Sequence, residues 1–202
     1  PDGPPPYEGR GAYGVGMRAV AVTAGDRELV TTVWYPTETP DGAVPLASLY
    51  EGDDAATLSA LFDAAPPECA RANAEATRDA PLAEGPFATV MFSHCLSCLG
   101  ISSSFIAERL ASHGVIVIGV THAGDTLFEQ QQGVVAPLDG AWLEVRAQDV
   151  RTSLDTLLRD PTFGTAIARD RLGVFGHSYG ATTTGKVLQD DDRFVACVAM
   201  AA

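Results

Sequence analysis

The chain has 202 residues, of which 46% are hydrophobic and 19% charged, and a formal net charge of −13. This composition describes a folded domain with a sizeable core and excludes a disordered chain. The acidic balance disfavours nucleic acid as a partner, and no apolar run approaches the ~20 residues of a transmembrane helix.

The first stretch, PDGPPPYEGRG (1–11), reads as an exposed, extended leader. It could follow a removed signal peptide or a boundary of the expressed chain. Residues 17–23 and 29–36 alternate apolar and polar side chains around AGDR, which predicts a hairpin whose second strand ends at Pro36. Residues 37–86 are rich in Pro, Ala, Asp and Glu. They predict an irregular excursion, with helical patches near 55–64 and 68–77 and no second domain. FATVMFS (87–93) is a predicted strand. Residues 102–114 predict a helix capped by serines, with Ile106, Leu110 and His113 on one face and Gly114 as its stop. VIVIGVTH (115–122) is apolar on both faces, as a central parallel strand should be. Residues 123–141 read as a long loop. A helix over 142–161 presents Leu143, Ala147, Val150, Leu154, Leu157 and Leu158 as one stripe, with Pro161 just past its end. A strand over 171–178, a helix to about Leu188 and a last strand over 194–202 complete the series. A hairpin followed by βαβ units predicts a mainly parallel sheet with helices on both faces, in a single domain over 1–202.

GVFGHSYGATTTG (173–185) is the stretch with chemistry in it. A serine hydroxyl is a poor nucleophile unless a base takes its proton and donors hold the oxyanion that forms. A sharp strand-to-helix turn lifts such a side chain off the sheet. It also brings strand and helix so close that the positions two before and two after must be tiny, and here they are Gly176 and Gly180. Ser178 is therefore the candidate nucleophile, against the plainer reading of a serine that caps a helix. The first free backbone N–H of that helix, on Tyr179, is a natural oxyanion donor. The second donor should come from the loop opened by MFSHCLSCLG (91–100), with Leu96 as candidate and Cys95 as the alternative.

Four stretches together resemble the α/β-hydrolase superfamily: VGMRAVAV…LVTTVWYPTE, ATVMFSHCLSCLG…SFIAERLASHGVIVIGVTHAGDT, RAQDVRTSLDTLLRD and RLGVFGHSYGATTTG…DRFVACVAMAA. Within it they are similar to secreted bacterial esterases of the platelet-activating-factor acetylhydrolase and predicted dienelactone hydrolase kind. The resemblance implies an α/β-hydrolase fold, a Ser-Asp-His triad, hydrolysis of carboxylic esters, no cofactor, and Leu96 as an oxyanion donor. It also implies secretion or a periplasmic location. Two departures stand out. Cys95 occupies a position where these relatives usually carry glycine, and the elbow holds serine where dienelactone hydrolases proper use cysteine.

In this fold the acid and the base follow the serine in chain order. The residues after Ser178 contain Asp190, Asp191 and Asp192 but no histidine, and these aspartates precede the last strand, away from the active end of a sheet. The acid of such relatives can follow the strand after the elbow, at a position equivalent to Ala201. The expectation is that the final strands, the acid and the base lie beyond Ala202, on a continuation or on a separate chain, and that the strand left at the edge is apolar and exposed. Packing or loop anchoring is the default reading for all four histidines, His94, His113, His122 and His177. His122, three residues before Asp125, is the outsider as base.

Cys197 lies in an apolar strand pattern and reads as a buried thiol. Cys95 and Cys98 form a C-x-x-C without the context of a redox motif or a zinc site. A disulfide from Cys69 to Cys95 or Cys98 is the preferred reading, pinning the 37–86 excursion over the site. The expected function is a serine esterase acting on short or medium acyl esters. The competing readings are a hydrolase of thioesters, amides or polyesters, and a non-catalytic binding member of the fold.

Overall fold

The computed structural model describes residues 9–66 and 71–201. Residues 1–8 of the predicted leader, Cys69 and the strand end at Ala202 lie outside the described residues. The strands among the described residues are β1 (Gly14–Ala24), β2 (Arg27–Thr37), β3 (Val44–Pro45), β4 (Asn73–Ala74), β5 (Thr77–Arg78), β6 (Phe87–Ser93), β7 (Val115–Val120), β8 (Ile167–His177) and β9 (Phe194–Met200). The helices are α1 (Gly52–Ala64), α2 (Ser104–Ser112), α3 (Leu127–Gln131), α4 (Gly140–Arg159) and α5 (Tyr179–Asp190). Seven strands form one sheet in the order β5-β1-β2-β7-β6-β8-β9. β1 and β2 are antiparallel, β2 is antiparallel to β7, and β7, β6, β8 and β9 run parallel.

Alternation along the central strands sends successive side chains to opposite faces. Met91, Ile116, Ile118 and Val174 meet the Ala147–Val150–Leu154–Leu157 stripe of α4 on one face. Phe92, Val117 and Phe175 join Trp34 and the Ala107–Ala111 side of α2 on the other. Each such side chain contributes about 1.5–3 kcal/mol when fully withdrawn from water. This two-sided burial keeps β6, β7 and β8 in fixed register, so the loops at their carboxyl ends converge on one crevice.

Several details differ from the sequence reading, each for a physical reason. Pro36 lies inside β2, opposite Val15, because the β7 pairing of β2 covers only Thr31–Trp34 and leaves Pro36 no ladder bond to donate on that side. The patch near 68–77 contributes the short strands β4 and β5 and no helix among its described residues. Ser103 occupies the N-cap of α2 without a side-chain capping bond, whereas Gly114 does stop that helix, at φ +85°. The 123–141 loop holds α3, started by a capping box between Thr126 and Glu129. The described end of the leader is anchored: Arg10 pairs with Asp41 and Glu75, and the Gly9 carbonyl lies 3.0 Å from His113 Nε2.

β9 is the edge strand, bonded only to β8, and Val195 and Val198 are 68% and 58% exposed. Cys197 is also exposed, contrary to the buried thiol expected of an apolar strand, because among the described residues no strand or helix covers its side of the edge.

Candidate active site

β8 runs straight into α5, and the residue at the junction is Ser178, at φ 54° and ψ −118°. Such a conformation costs a non-glycine residue about 1–3 kcal/mol. The glycines on either side explain why the turn can form. A Cβ on Gly176 would lie 2.1 Å from the Gly180 carbonyl oxygen, and one on Gly180 would lie 2.0 Å from that of Ser93. Strand and helix are thus in backbone contact, and the first turn of α5 presses on the end of β6. Ser178 is only partly buried and makes no side-chain capping bond to α5. The helix-cap alternative therefore fails.

The loop after β6 comes next to this elbow. Cys95 to Cys98 form a tight turn, closed by the Cys98 N–H donating to the Cys95 carbonyl at 3.3 Å, with Ser97 at φ 54°. A disulfide joins Cys95 to Cys98, whose Cα atoms are 5.3 Å apart. This corrects the expected bridge from Cys69: both of its candidate partners are already paired with each other, because the turn itself brings them within bonding reach. Leu96 sits inside the bridged turn, half-buried, and its N–H takes no part in the hydrogen bonds of the described residues. The Cys95 N–H is equally unused. Tyr179 is the first residue of α5, where an N–H has no partner within the helix.

Beneath the loop lies a polar network that the sequence reading did not contain. His122 Nε2 accepts from Ser93 Oγ at 2.9 Å, and His122 Nδ1 donates to Asp149 Oδ2 at 2.9 Å. Asp149 is also paired with Arg27. His94 Nε2 accepts the His122 backbone N–H at 3.0 Å, leaving Nδ1 to donate to the Cys95 carbonyl at 2.6 Å. The Ser93–His122–Asp149 chain has the bonding order of a catalytic triad, yet all three side chains are fully buried and no substrate reaches them. It serves to hold the carboxyl ends of β6 and β7 together. The outsider reading of His122 as base is not supported: His122 is anchored to Asp149, and Asp125, three residues on, pairs with Arg146. The signal in the sequence was the spacing of Arg146, Asp149 and Ser153, three polar residues sharing one face of α4 beside its apolar stripe.

Both network histidines are held neutral. Burial, then His122 and Arg146, push the His94 pKa well below 6.5; burial, then Arg146 and Arg27, do the same to His122. A folded state that refuses a proton accepted by the unfolded chain loses stability as pH falls below the unfolded value of 6.5. We expect urea unfolding to show a lower stability at pH 5.5 than at pH 7.5, with a slope of up to ~1.4 kcal/mol per pH unit for each histidine. Asp149, raised by burial, acts in the opposite sense, gaining stability as pH falls toward the ordinary aspartate range. A stability that stays flat or rises on acidification to pH 5.5 would contradict the neutral assignment.

An apolar groove of about 340 Å³ opens beside the bridged turn. Leu46, Leu58 and Phe62 from the 37–86 excursion line it with Ile101, Phe105 and Leu127, next to Ser97 and Cys98. Among the described residues no group of three His, Cys, Asp or Glu side chains could hold a metal, and no helix is long and apolar enough to cross a membrane.

A mainly parallel sheet with a leading antiparallel hairpin, helices on both faces and a serine at a strand-to-helix elbow together make an α/β-hydrolase fold. The comparisons with known proteins agree with that class. A ferulic acid esterase from Streptomyces cinnamoneus superposes with a TM-score of 0.71 at 23% identity, covering 90% of this chain and 57% of that one. The dienelactone hydrolase of Anabaena variabilis gives 0.52 at 15% identity, over 90% of this chain and 61% of that one. In sequence, the platelet-activating factor acetylhydrolase of Bos taurus is 28% identical, over 56% of this chain and 34% of that protein. The chain thus spans about a third of that curated relative and under two thirds of either solved structure. No protein-family model matches the chain.

Proposed function

We propose that this chain carries the nucleophile and oxyanion hole of a serine hydrolase that cleaves carboxylic esters, short and medium acyl chains above all. The observation that carries the reading is Ser178 itself: partly exposed, strained and uncapped, on a turn that only Gly176 and Gly180 permit. The likeness in fold to esterases and the sequence likeness to an acetylhydrolase support it.

In this mechanism Ser178 Oγ attacks the ester carbonyl carbon while its proton passes to a histidine. The carbonyl oxygen becomes an oxyanion held by the N–H groups of Tyr179 and Leu96. Collapse breaks the bond to the alcohol, which departs with the proton. Water then repeats the sequence on the acyl-enzyme and releases the acid, restoring Ser178. The base is none of the four histidines in this sequence. His94 and His122 are buried and committed, and His113 is bonded to Gly9. His177 is the exposed last residue of β8, and no hydrogen bond joins it to Ser178 among the described residues. We assign the base, and the acid that orients it, to residues outside these 202. The apolar groove beside the bridged turn receives the acyl chain. A disulfide within an active-site loop supports a secreted or periplasmic setting, where such bonds persist.

Hydrolysis of p-nitrophenyl acetate, butyrate and longer esters by the full-length protein tests the reading, with thioester and anilide analogues alongside. Turnover of the esters, fastest for the shorter acyl groups, is expected. Absence of turnover on every ester overturns the assignment.

A further inference from the structure

Arg146 is fully buried on α4, and nothing in the chemistry above requires it. A buried guanidinium is costly to desolvate unless its donors are met. Here Nε has no partner among the described residues, and the bonds of Nη1 and Nη2 reach into both halves of the candidate oxyanion hole. Nη2 donates to the His94 carbonyl and, at 3.1 Å, to Ser93 Oγ, at the root of the loop that carries Leu96. Nη1 donates to Asp125. The other carboxylate oxygen of Asp125 accepts the Ser97 N–H at 2.8 Å, on the far side of Leu96. On its remaining side the guanidinium carbon lies 5.0 Å from the centre of the Tyr179 ring. The Tyr179 hydroxyl in turn donates to the carbonyl of Asp139, the N-cap of α4, at 3.2 Å. Leu96 is thus gripped before it by Arg146 directly and after it through Asp125, and Tyr179 is held at its ring by Arg146 and at its hydroxyl by the N-cap of α4.

We propose that Arg146 is the positioning residue of the oxyanion hole, its planar fork setting the N–H groups of Leu96 and Tyr179 at a fixed separation. The inference rests on the serine-hydrolase reading and goes beyond it. It accounts for the choice of arginine over lysine: only a planar group satisfies the loop carbonyl, Ser93 and Asp125 along its edges while lying flat on an aromatic ring. It also accounts for Cys95 standing where glycine is usual. Here the loop is shaped by the bridge and by Arg146 together, and backbone freedom at that position is not needed.

Interactions with an oxyanion exist only in the transition state, so loosening the hole lowers kcat and leaves KM alone. Arg146→Lys keeps the charge that Asp125 requires but loses the fork. The expected result is a fall in kcat on the order of 10–100-fold, with KM changed less than about threefold, since a small misplacement of catalytic groups costs up to ~10² in rate. Affinity for an alkyl boronic acid, which mimics the tetrahedral oxyanion, should fall by the same factor as kcat/KM. Should Arg146→Lys fail to fold, Tyr179→Leu removes the stacked ring while keeping the backbone N–H, and the same kcat-only loss is expected. Unchanged kcat in a folded variant, or a loss entirely in KM, overturns the proposal. Native protein that hydrolyses no ester would instead overturn the reading beneath it, so the two failures are told apart.

Discussion

Replacing Ser178 by alanine is expected to reduce kcat for ester hydrolysis on the order of 10⁴–10⁶-fold while leaving the urea midpoint unchanged, because the hydroxyl is the reacting group and supports nothing in the fold. The structural half of that expectation follows from the turn. The Ser178 side chain caps no helix, so its loss strands no buried donor. Alanine is as strained at φ 54° as serine, so it neither relieves nor adds to the cost of the turn. Glycine differs. Ser178→Gly should be equally inactive yet more stable by about 1 kcal/mol, the relief of strain exceeding the entropy that glycine adds to the unfolded chain. Comparison of the three proteins by ester assay and urea titration checks both halves. A Ser178→Ala protein retaining a tenth of native activity, or a glycine variant less stable than native, would contradict this account of the elbow.

Gly180→Ala should be nearly as damaging to activity and far more damaging to the fold. The new methyl would meet the carbonyl oxygens of Ser93 at 2.0 Å and His94 at 2.6 Å. These are backbone atoms at the end of a central strand paired on both sides, so α5 must retreat instead. We expect a destabilisation of about 3 kcal/mol or more and, in any protein that folds, a kcat reduced ~100-fold or more as Tyr179 leaves its place beside the loop. Gly185→Ala, five positions on in the same helix, is the control. Nothing lies within 4 Å of its added methyl, so it should stabilise by up to ~1 kcal/mol through helix propensity alone. Equal midpoints for the two variants would show that the close contact does not constrain the elbow.

The elbow was legible in the sequence because its geometry imposes tiny residues at fixed offsets from the nucleophile, a local rule that survives without knowledge of the rest of the fold. The central strands and α4 were legible for a similar reason, since periodicity reports which face is buried. What stayed hidden was long-range pairing. Nothing local in WLEVRAQDV says that Arg146 will reach Asp125, or that Asp149 will meet Arg27 and His122. Those partners are chosen by how α4 packs across β6 and β7. The Cys95–Cys98 bridge was missed because a longer bridge from Cys69 to one of the two was preferred; the left-handed Ser97 that closes the turn carries no sequence mark. α3 was readable from Thr126 and Glu129 but masked by the Gly- and Gln-rich stretch around it. Cys197 was misjudged because an apolar strand pattern does not tell a central strand from an edge.

The central claim is that the hydroxyl of Ser178 is a reacting nucleophile. Its most direct test is to treat the full-length protein with a fluorophosphonate and locate the adduct by peptide mass spectrometry. A single adduct on Ser178, formed as ester hydrolysis is lost, is the result predicted. An unmodified Ser178 in protein that still hydrolyses esters, or an adduct on another residue that accounts for the inactivation, would contradict it.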